Sequence, residues 1–201
     1  MQKSAIDKAK DRLASAKARL KDLESAKDYD TARRQWYEFL LCSNAVFSVL
    51  EQGSKGFNKS SAWFGKKKQE RKSDPLLCYL QHARNADEHN VPSVTELDHQ
   101  KIVMVEDGKP VAEIRDMVGN KGTFFSLSDN ASPNLTNINE MRIYPDRAKL
   151  IRVTDRGVNY DPPTEHLGSI IHDNGPISVA SLMVQYIESL AAEAESLMPK
   201  R

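Results

Sequence analysis

Ile6, Ala9, Leu13, Ala16, Leu20 and Leu23 recur at alternating spacings of three and four near the start of the chain. That spacing draws a narrow heptad stripe on an otherwise charged helix. So thin a seam has to lie along another helix, either in a hairpin or across a subunit interface, and short connections favour the hairpin. From about Asp30 to Leu50, the residues Trp36, Phe39, Leu40, Val46, Phe47 and Leu50 form a broad apolar face. This is the pattern of a central core helix and the natural partner of the first. Gly53 and Gly56 interrupt it and predict a loop through Ser61, with a short helix around Trp63. Ser73-Asp74-Pro75 then supplies a capping residue and a proline at the first helical position. Helical spacing continues from Leu76 to His89, and Pro92 turns Val91 away from helical angles, which ends the helix near residue 90.

Beyond residue 100 the period changes. Lys101 to Glu106, Val111 to Val118, Thr123 to Leu127, Ile138 to Tyr144 and Leu150 to Thr154 read as strands. Asp107-Gly108-Lys109-Pro110 and Asp155-Arg156-Gly157 read as turns between antiparallel neighbours, so the segment predicts a small meander. After Asp161-Pro162-Pro163 a short helical piece is expected to run toward His172, stopped by Asp173-Asn174-Gly175-Pro176. A last helix starts near Ser178, and its stripe of Leu182, Met183, Ile187, Leu190, Ala194 and Leu197 returns it to the N-terminal helices. The predicted fold is α+β: an antiparallel helical bundle over 1–93, an antiparallel β insertion over 94–163, and closing helices over 164–201, in one compact domain.

Bulk composition narrows the class. With 201 residues, 39% apolar and 28% charged, the chain is long enough to bury a core and too apolar for general disorder. No run approaches the ~18 apolar residues of a membrane span, and no apolar leader follows the first basic residues, so a soluble cytoplasmic protein is expected. Cys42 and Cys78 both fall in helical patterns and read as reduced thiols. A net charge of +1 gives no global attraction to nucleic acid, so any such affinity has to be local.

The chemistry concentrates at the end of the fourth helical pattern. With Leu80 and Ala83 at the centre of its buried face, a turn of ~100° per residue places Cys78, His82, Asn85 and His89 together on the opposite side, facing solvent or a partner. Arg84 lies at the boundary of the two faces, ~140° from His89 around an ideal helix. The two converge if the last turn loosens before Pro92, or if two copies of the helix meet across a two-fold axis. An alternative is an Arg84–Glu88 pair at i,i+4, with His89 at the helix C-terminus interacting with its dipole.

Arg84-Asn85-Ala86-Asp87-Glu88-His89 resembles the R-x4-6-H signature of HEPN domains, in the form in which a polar residue follows the arginine. The order of a long helix, a core helix, a basic segment and a helix ending in the motif is also similar to that family over residues 1–90, with 177–198 as a closing helix. The strand-rich stretch 94–160 departs from it. The resemblance implies a metal-independent endoribonuclease acting as a homodimer, without a cofactor, in a toxin or defence setting that includes an antitoxin partner. It implies that His89 is the acid or base, since imidazole titrates near neutrality. Arg84 would stabilise the charge on the scissile phosphate, and Asn85 would orient the histidine or the substrate. The alternative is a non-catalytic module that binds RNA, a nucleotide or a protein through the same surface.

Lys55, Lys59, Lys66, Lys67, Lys68, Arg71 and Lys72 crowd the segment before this helix, opposed only by Glu70. With Trp63 and Phe64 beside them, the cluster reads as an RNA-binding groove in which Lys66, Lys67, Lys68, Arg71, Lys72 and Trp63 supply phosphate contacts and stacking. The competing reading is a solvated lysine-rich loop. Cys78 and His82 lack the further ligands of a zinc site, so no metal is expected. His166 and His172 read as surface residues. No glycine-rich phosphate loop, nucleophile elbow or paired glycosidase carboxylates can be placed.

Overall fold

The computed structural model describes residues 1–89, 94–99, 101–117, 122–127, 139–144 and 146–198. The side chains of 88, 89, 115–117, 122–127, 143 and 144 lie outside that description. The fold is α+β, and the chain divides into two compact units, Met1–Glu96 with Leu150–Arg201, and Leu97–Lys149.

The first unit is built on helices α1 (Lys3–Glu24), α2 (Tyr29–Ser54), α3 (Asn58–Ser73), α4 (Pro75–His89) and α5 (Pro176–Ser196). α1 and α2 form the expected hairpin, with Ile6, Ala9, Ala16 and Leu23 buried on one side and Trp36, Phe39, Leu40, Val46, Phe47 and Leu50 on the other. Asp28 opens α2 by accepting from the Thr31 N–H at 2.8 Å and its hydroxyl at 2.9 Å, a cap that satisfies an otherwise orphaned donor.

Gly53 does not end α2. It is buried in the last turn, and a Cβ there would sit 2.1 Å from the Ala5 Cβ. Glycine is present because α1 crosses at backbone distance. The stop comes at Gly56, whose φ of +80° favours glycine.

The short helix expected around Trp63 is the sixteen-residue helix α3, which begins at Asn58, inside the stretch expected to be loop through Ser61. Its sequence shows little helical periodicity because only Ser60 and Phe64 are buried. What fixes it is polar: Trp63 Nε1 donates to Glu193 Oε2 at 2.8 Å, Lys67 pairs with Glu193 at 3.0 Å, and Tyr186 donates its hydroxyl to Glu70 at 2.6 Å. α3 is therefore tied to α5 by contacts invisible to a hydrophobic pattern.

α4 starts as read. Asp74 caps it, accepting from the Leu77 N–H at 2.9 Å, and Pro75 occupies the first turn. Leu76, Leu77, Tyr79, Leu80, Ala83 and Ala86 form its buried face. α5 packs against α1, α2 and α4 through Val179, Met183, Ile187, Leu190 and Ala194.

Between Leu150 and α5 lie two small hairpins, β7 (Val153–Asp155) with β8 (Val158–Tyr160), and β9 (Glu165–His166) with β10 (Ser169–Ile170). The second replaces the helical piece expected before His172. Its turn, Leu167-Gly168, has φ of 48° and 80°, matching Arg156-Gly157 at 51° and 80°. Both residues of such a two-residue turn take the left-handed conformation, for which leucine is a poor signal.

In the second unit, β2 (Lys101–Glu106), β3 (Lys109–Met117), β4 (Gly122–Leu127) and β5 (Glu140–Tyr144) form one antiparallel sheet in the order β4-β3-β2-β5. β5 thus pairs with β2, rather than following β4 as in a simple meander. The expected Leu150–Thr154 strand is two, β6 (Arg147–Leu150) and β7. β6 pairs with β1 (Thr95–Asp98), so the chain leaves and re-enters the first unit on adjacent strands. Among the described residues no helix is long and apolar enough to cross a membrane.

Candidate nucleic-acid interface

α4 carries the motif on the turns that follow its buried face. The stripe of Cys78, His82 and Asn85 does not face open solvent. All three are half-buried, and the β7–β8 hairpin supplies partners for two of them. His82 Nδ1 lies 2.7 Å from Asp155 Oδ2, and its ring stacks on Tyr160 with centroids 3.7 Å apart and planes 8° from parallel. Asn85 Nδ2 donates to the same Asp155 oxygen at 3.0 Å, and Arg84 Nη1 donates to Asn85 Oδ1 at 3.3 Å. A connected path therefore runs from Arg84 through Asn85 to Asp155 and His82.

The hydrogen bonds from His82 and then from Asn85 hold the Asp155 carboxyl below the usual carboxylate range. An ionised Asp155 can only accept, so the His82 ring presents Nδ1–H to it. Asp87 behaves oppositely: burial pushes its carboxyl up, against the pull of the Val94 N–H and of Arg33. The side chain of His89 lies outside the described residues, so α4 places its backbone as the last helical residue and no more.

The basic residues of α3 divide into three groups. Lys66 and Lys72 are exposed, and Lys68 is exposed but pairs with Glu51 at 3.1 Å. Lys67 and Trp63 turn toward α5 and are held by Glu193. Arg71 is half-buried: its Nη2 donates to Asn44 Oδ1, its guanidinium carbon lies 4.1 Å from the Phe47 ring centre, and its Nε is buried with no hydrogen-bond partner. Burial first, and then the positive charge of Arg84, brings the Arg71 guanidinium down to about 10, against the pull of Tyr186 and Glu51. The cluster is thus not one continuous groove of free cations.

A second histidine is also more than a surface residue. His166, with its side chain only 11% exposed, places Nδ1 3.0 Å from Asp74 Oδ1, while the Leu167 N–H donates to Asp74 Oδ2 at 2.7 Å. One carboxylate thereby caps α4 and grips the β9–β10 turn. Burial alone would raise its pKa, and the bonds from His166, Leu167 and Leu77 leave it lowered instead. His166 lines a groove of about 430 Å³ with Glu70, Tyr186, Leu182 and Glu193. The charged groups of that groove are already paired with one another. His172 is exposed.

Sequence reading missed Asn44, Asp155 and Tyr160 as contributors. Asn44 carried a signal, being a polar residue inside the apolar face of α2. Asp155 carried none, since it read as part of a turn. No protein-family model, curated protein or solved structure matches this chain. Among the described residues no cluster of histidine, cysteine and carboxylate side chains could hold a metal ion.

Proposed function

We propose that the protein is a HEPN-like, metal-independent endoribonuclease, working as a homodimer in a toxin or defence setting. The observation that carries the reading is the tether on Arg84: Asn85 accepts from its guanidinium while Asp155 holds Asn85, so the fork is oriented before substrate arrives. In the proposed reaction the 2′-oxygen of a ribose attacks the adjacent phosphorus and the P–O5′ bond breaks. The 2′-hydroxyl proton passes to a base, and the departing 5′-oxygen takes a proton from an acid. The products are a 2′,3′-cyclic phosphate and a 5′-hydroxyl. His89 serves as acid or base, and Arg84 neutralises charge on the non-bridging oxygens. Two α4 C-terminal ends facing across a two-fold axis bring both groups to one phosphodiester.

Incubation with single-stranded RNA in EDTA tests this. The expected result is cleavage leaving cyclic phosphate ends, reduced about 100-fold or more in Arg84→Ala and in His89→Ala, with RNA binding retained. Intact RNA, or full activity in both variants, overturns it. A second reading, a non-catalytic RNA, nucleotide or protein-binding module, draws on Asn85, whose amide is committed at both ends within the chain. It predicts binding without cleavage.

A further inference from the structure

Helix α3 begins without a cap. The first N–H groups of an α-helix have no intrahelical acceptor, so a side chain, water or a ligand has to satisfy them. Before α3 stands Phe57, which offers no side-chain acceptor and makes no cap. Its own N–H donates back to the Ser54 carbonyl at 3.3 Å, and the first bond within the helix runs from the Ser61 N–H to the Phe57 carbonyl at 2.8 Å. Among the described residues, the N–H groups of Asn58, Lys59 and Ser60 therefore meet no acceptor. Such an opening favours an anion. By itself it decides nothing, since α1 starts uncapped as well.

The second observation is a buried hydroxyl. A cavity of about 650 Å³ lies at the start of α3, where Asn58, Lys59 and Ser60 share its wall with Phe57, Leu197 and Met198. Ser60 is only 1% exposed. Its neighbour Ser61 turns its hydroxyl to the Ser54 carbonyl at 2.8 Å, whereas the Ser60 hydroxyl meets no partner among the described residues. Burying a hydroxyl without a hydrogen bond is unfavourable, and native structures rarely leave one so. This hydroxyl is not sealed in the core either, so the small open part of Ser60 includes it and faces the cavity. Lys59 is exposed, makes no ion pair among the described residues, and lines the same space. No carboxylate of the described residues does. α5 also ends here, but local donors hold its carbonyls: the Leu197 and Met198 N–H groups donate to Ala194 and Glu195 at 3.2 and 3.1 Å, and the Ser196 hydroxyl to Glu193 at 2.6 Å.

We infer that this cavity binds a small organic phosphomonoester. Its phosphate sits on the N–H groups of Asn58, Lys59 and Ser60, the Ser60 hydroxyl and the Lys59 ammonium, and its organic part lies against Phe57, Leu197 and Met198. A phosphomonoester suits this set better than a carboxylate because it has more terminal oxygens to share among the donors. The organic part follows from the apolar wall, in which Phe57 is 39% exposed and gains from being covered. The volume also falls within the ~300–1,000 Å³ of small-molecule sites. The inference goes beyond the nuclease reading and does not rest on it, since the cavity shares no residue with the path from His82 to Arg84.

The full chain is titrated with phenyl phosphate, inorganic phosphate and benzoate, by calorimetry and by thermal unfolding. Ionic strength is held fixed, because phosphate salts stabilise folded proteins by exclusion as well. In wild type, phenyl phosphate is expected to raise Tm saturably by binding the folded state. It should bind about tenfold or more tightly than inorganic phosphate, which leaves the apolar wall uncovered, and more tightly than benzoate. Ser60→Ala removes a hydroxyl that holds nothing within the chain, so it should melt at or above the wild-type temperature and bind phenyl phosphate about tenfold more weakly. Asn58→Pro deletes one backbone donor where a helix tolerates proline. Phe57, at φ −123° and ψ 103°, already has the extended backbone that a following proline requires. This variant should keep its Tm and also bind more weakly. Unchanged affinity in both variants, benzoate binding as tightly as phenyl phosphate, or no saturable stabilisation of wild type overturns the site. If Ser60→Ala does not fold, Asn58→Pro decides: weakened binding supports the site and wild-type binding overturns it.

Discussion

At the scale of single residues, the tightest approach to any described glycine is at Gly53. The α1–α2 crossing leaves no room for a methyl group, because the nearest atom to an added Cβ is the Cβ of Ala5 at 2.1 Å, on another helix. Neither partner is a flexible chain end, so the helices have to separate. Gly53→Ala is expected to lose about 1–3 kcal/mol of stability in urea unfolding, the usual range for overpacking, although alanine is the better helix former. Two carboxylates near the motif should show opposite pH signatures. The pKa of Asp155 is lowered on folding, so its stabilisation is present above the unfolded value of about 3.9 and is lost as pH falls through the lower folded value. Asp155→Asn should therefore melt below wild type at neutral pH and converge with it in acid. Asp87 is raised, so its ionised form is disfavoured and stability falls as pH rises through the folded value. Asp87→Asn, which keeps a carbonyl oxygen for the Val94 N–H, should melt above wild type at pH 7 and converge at low pH. A melting series from pH 3 to 8 reads both signs.

At the scale of elements, Asp74 joins two pieces that lie ninety residues apart in sequence. Its carboxylate caps α4 through Leu77 and holds the β9–β10 turn through His166 and Leu167. Removing a cap alone costs about 0.5–2 kcal/mol. Asp74→Ala should cost more than that and should speed amide exchange in Glu165–Ile170, far from the cap in sequence, whereas Asp74→Asn should retain part of both. Protection of those amides left unchanged in Asp74→Ala would show that the turn holds itself. The cap was legible in Ser73-Asp74-Pro75 because N-termini follow local rules. The grip on His166 was not, since it depends on which surface the returning chain covers. The same divide explains α1, α2 and α4, whose apolar stripes face one another, against α3, whose ties to Glu193 and Tyr186 are polar and distant. It explains the Asp107-Gly108 and Arg156-Gly157 turns, readable from aspartate and glycine, against Leu167-Gly168. The motif residues Arg84 and Asn85 were visible as a short pattern on a capped helix. What anchors them, Asp155, arrives from beyond the insertion.

For the whole molecule, the position of the insertion decides how separable its role is. Every group in the path from His82 through Asp155 and Asn85 to Arg84, together with Arg71 and Asn44, belongs to the unit formed by Met1–Glu96 and Leu150–Arg201. The chain departs from that unit on β1 and returns on β6, which are hydrogen-bonded neighbours. Adjacent strands lie about 5 Å apart, a gap that a two-residue turn spans. Replacing Leu97–Lys149 by Asn-Gly is therefore expected to leave a cooperatively folding helical unit, with some loss of Tm because the outer ends of β1 and β6 are removed. Circular dichroism should show helix content per residue rising, since the excised unit contributes strands. If the shortened protein also keeps the acid loss of stability that Asp155 brings, the path from His82 to Arg84 is complete without the sheet. If it folds but melts without that pH dependence, the path from His82 to Arg84 needs more than the unit that contains its residues.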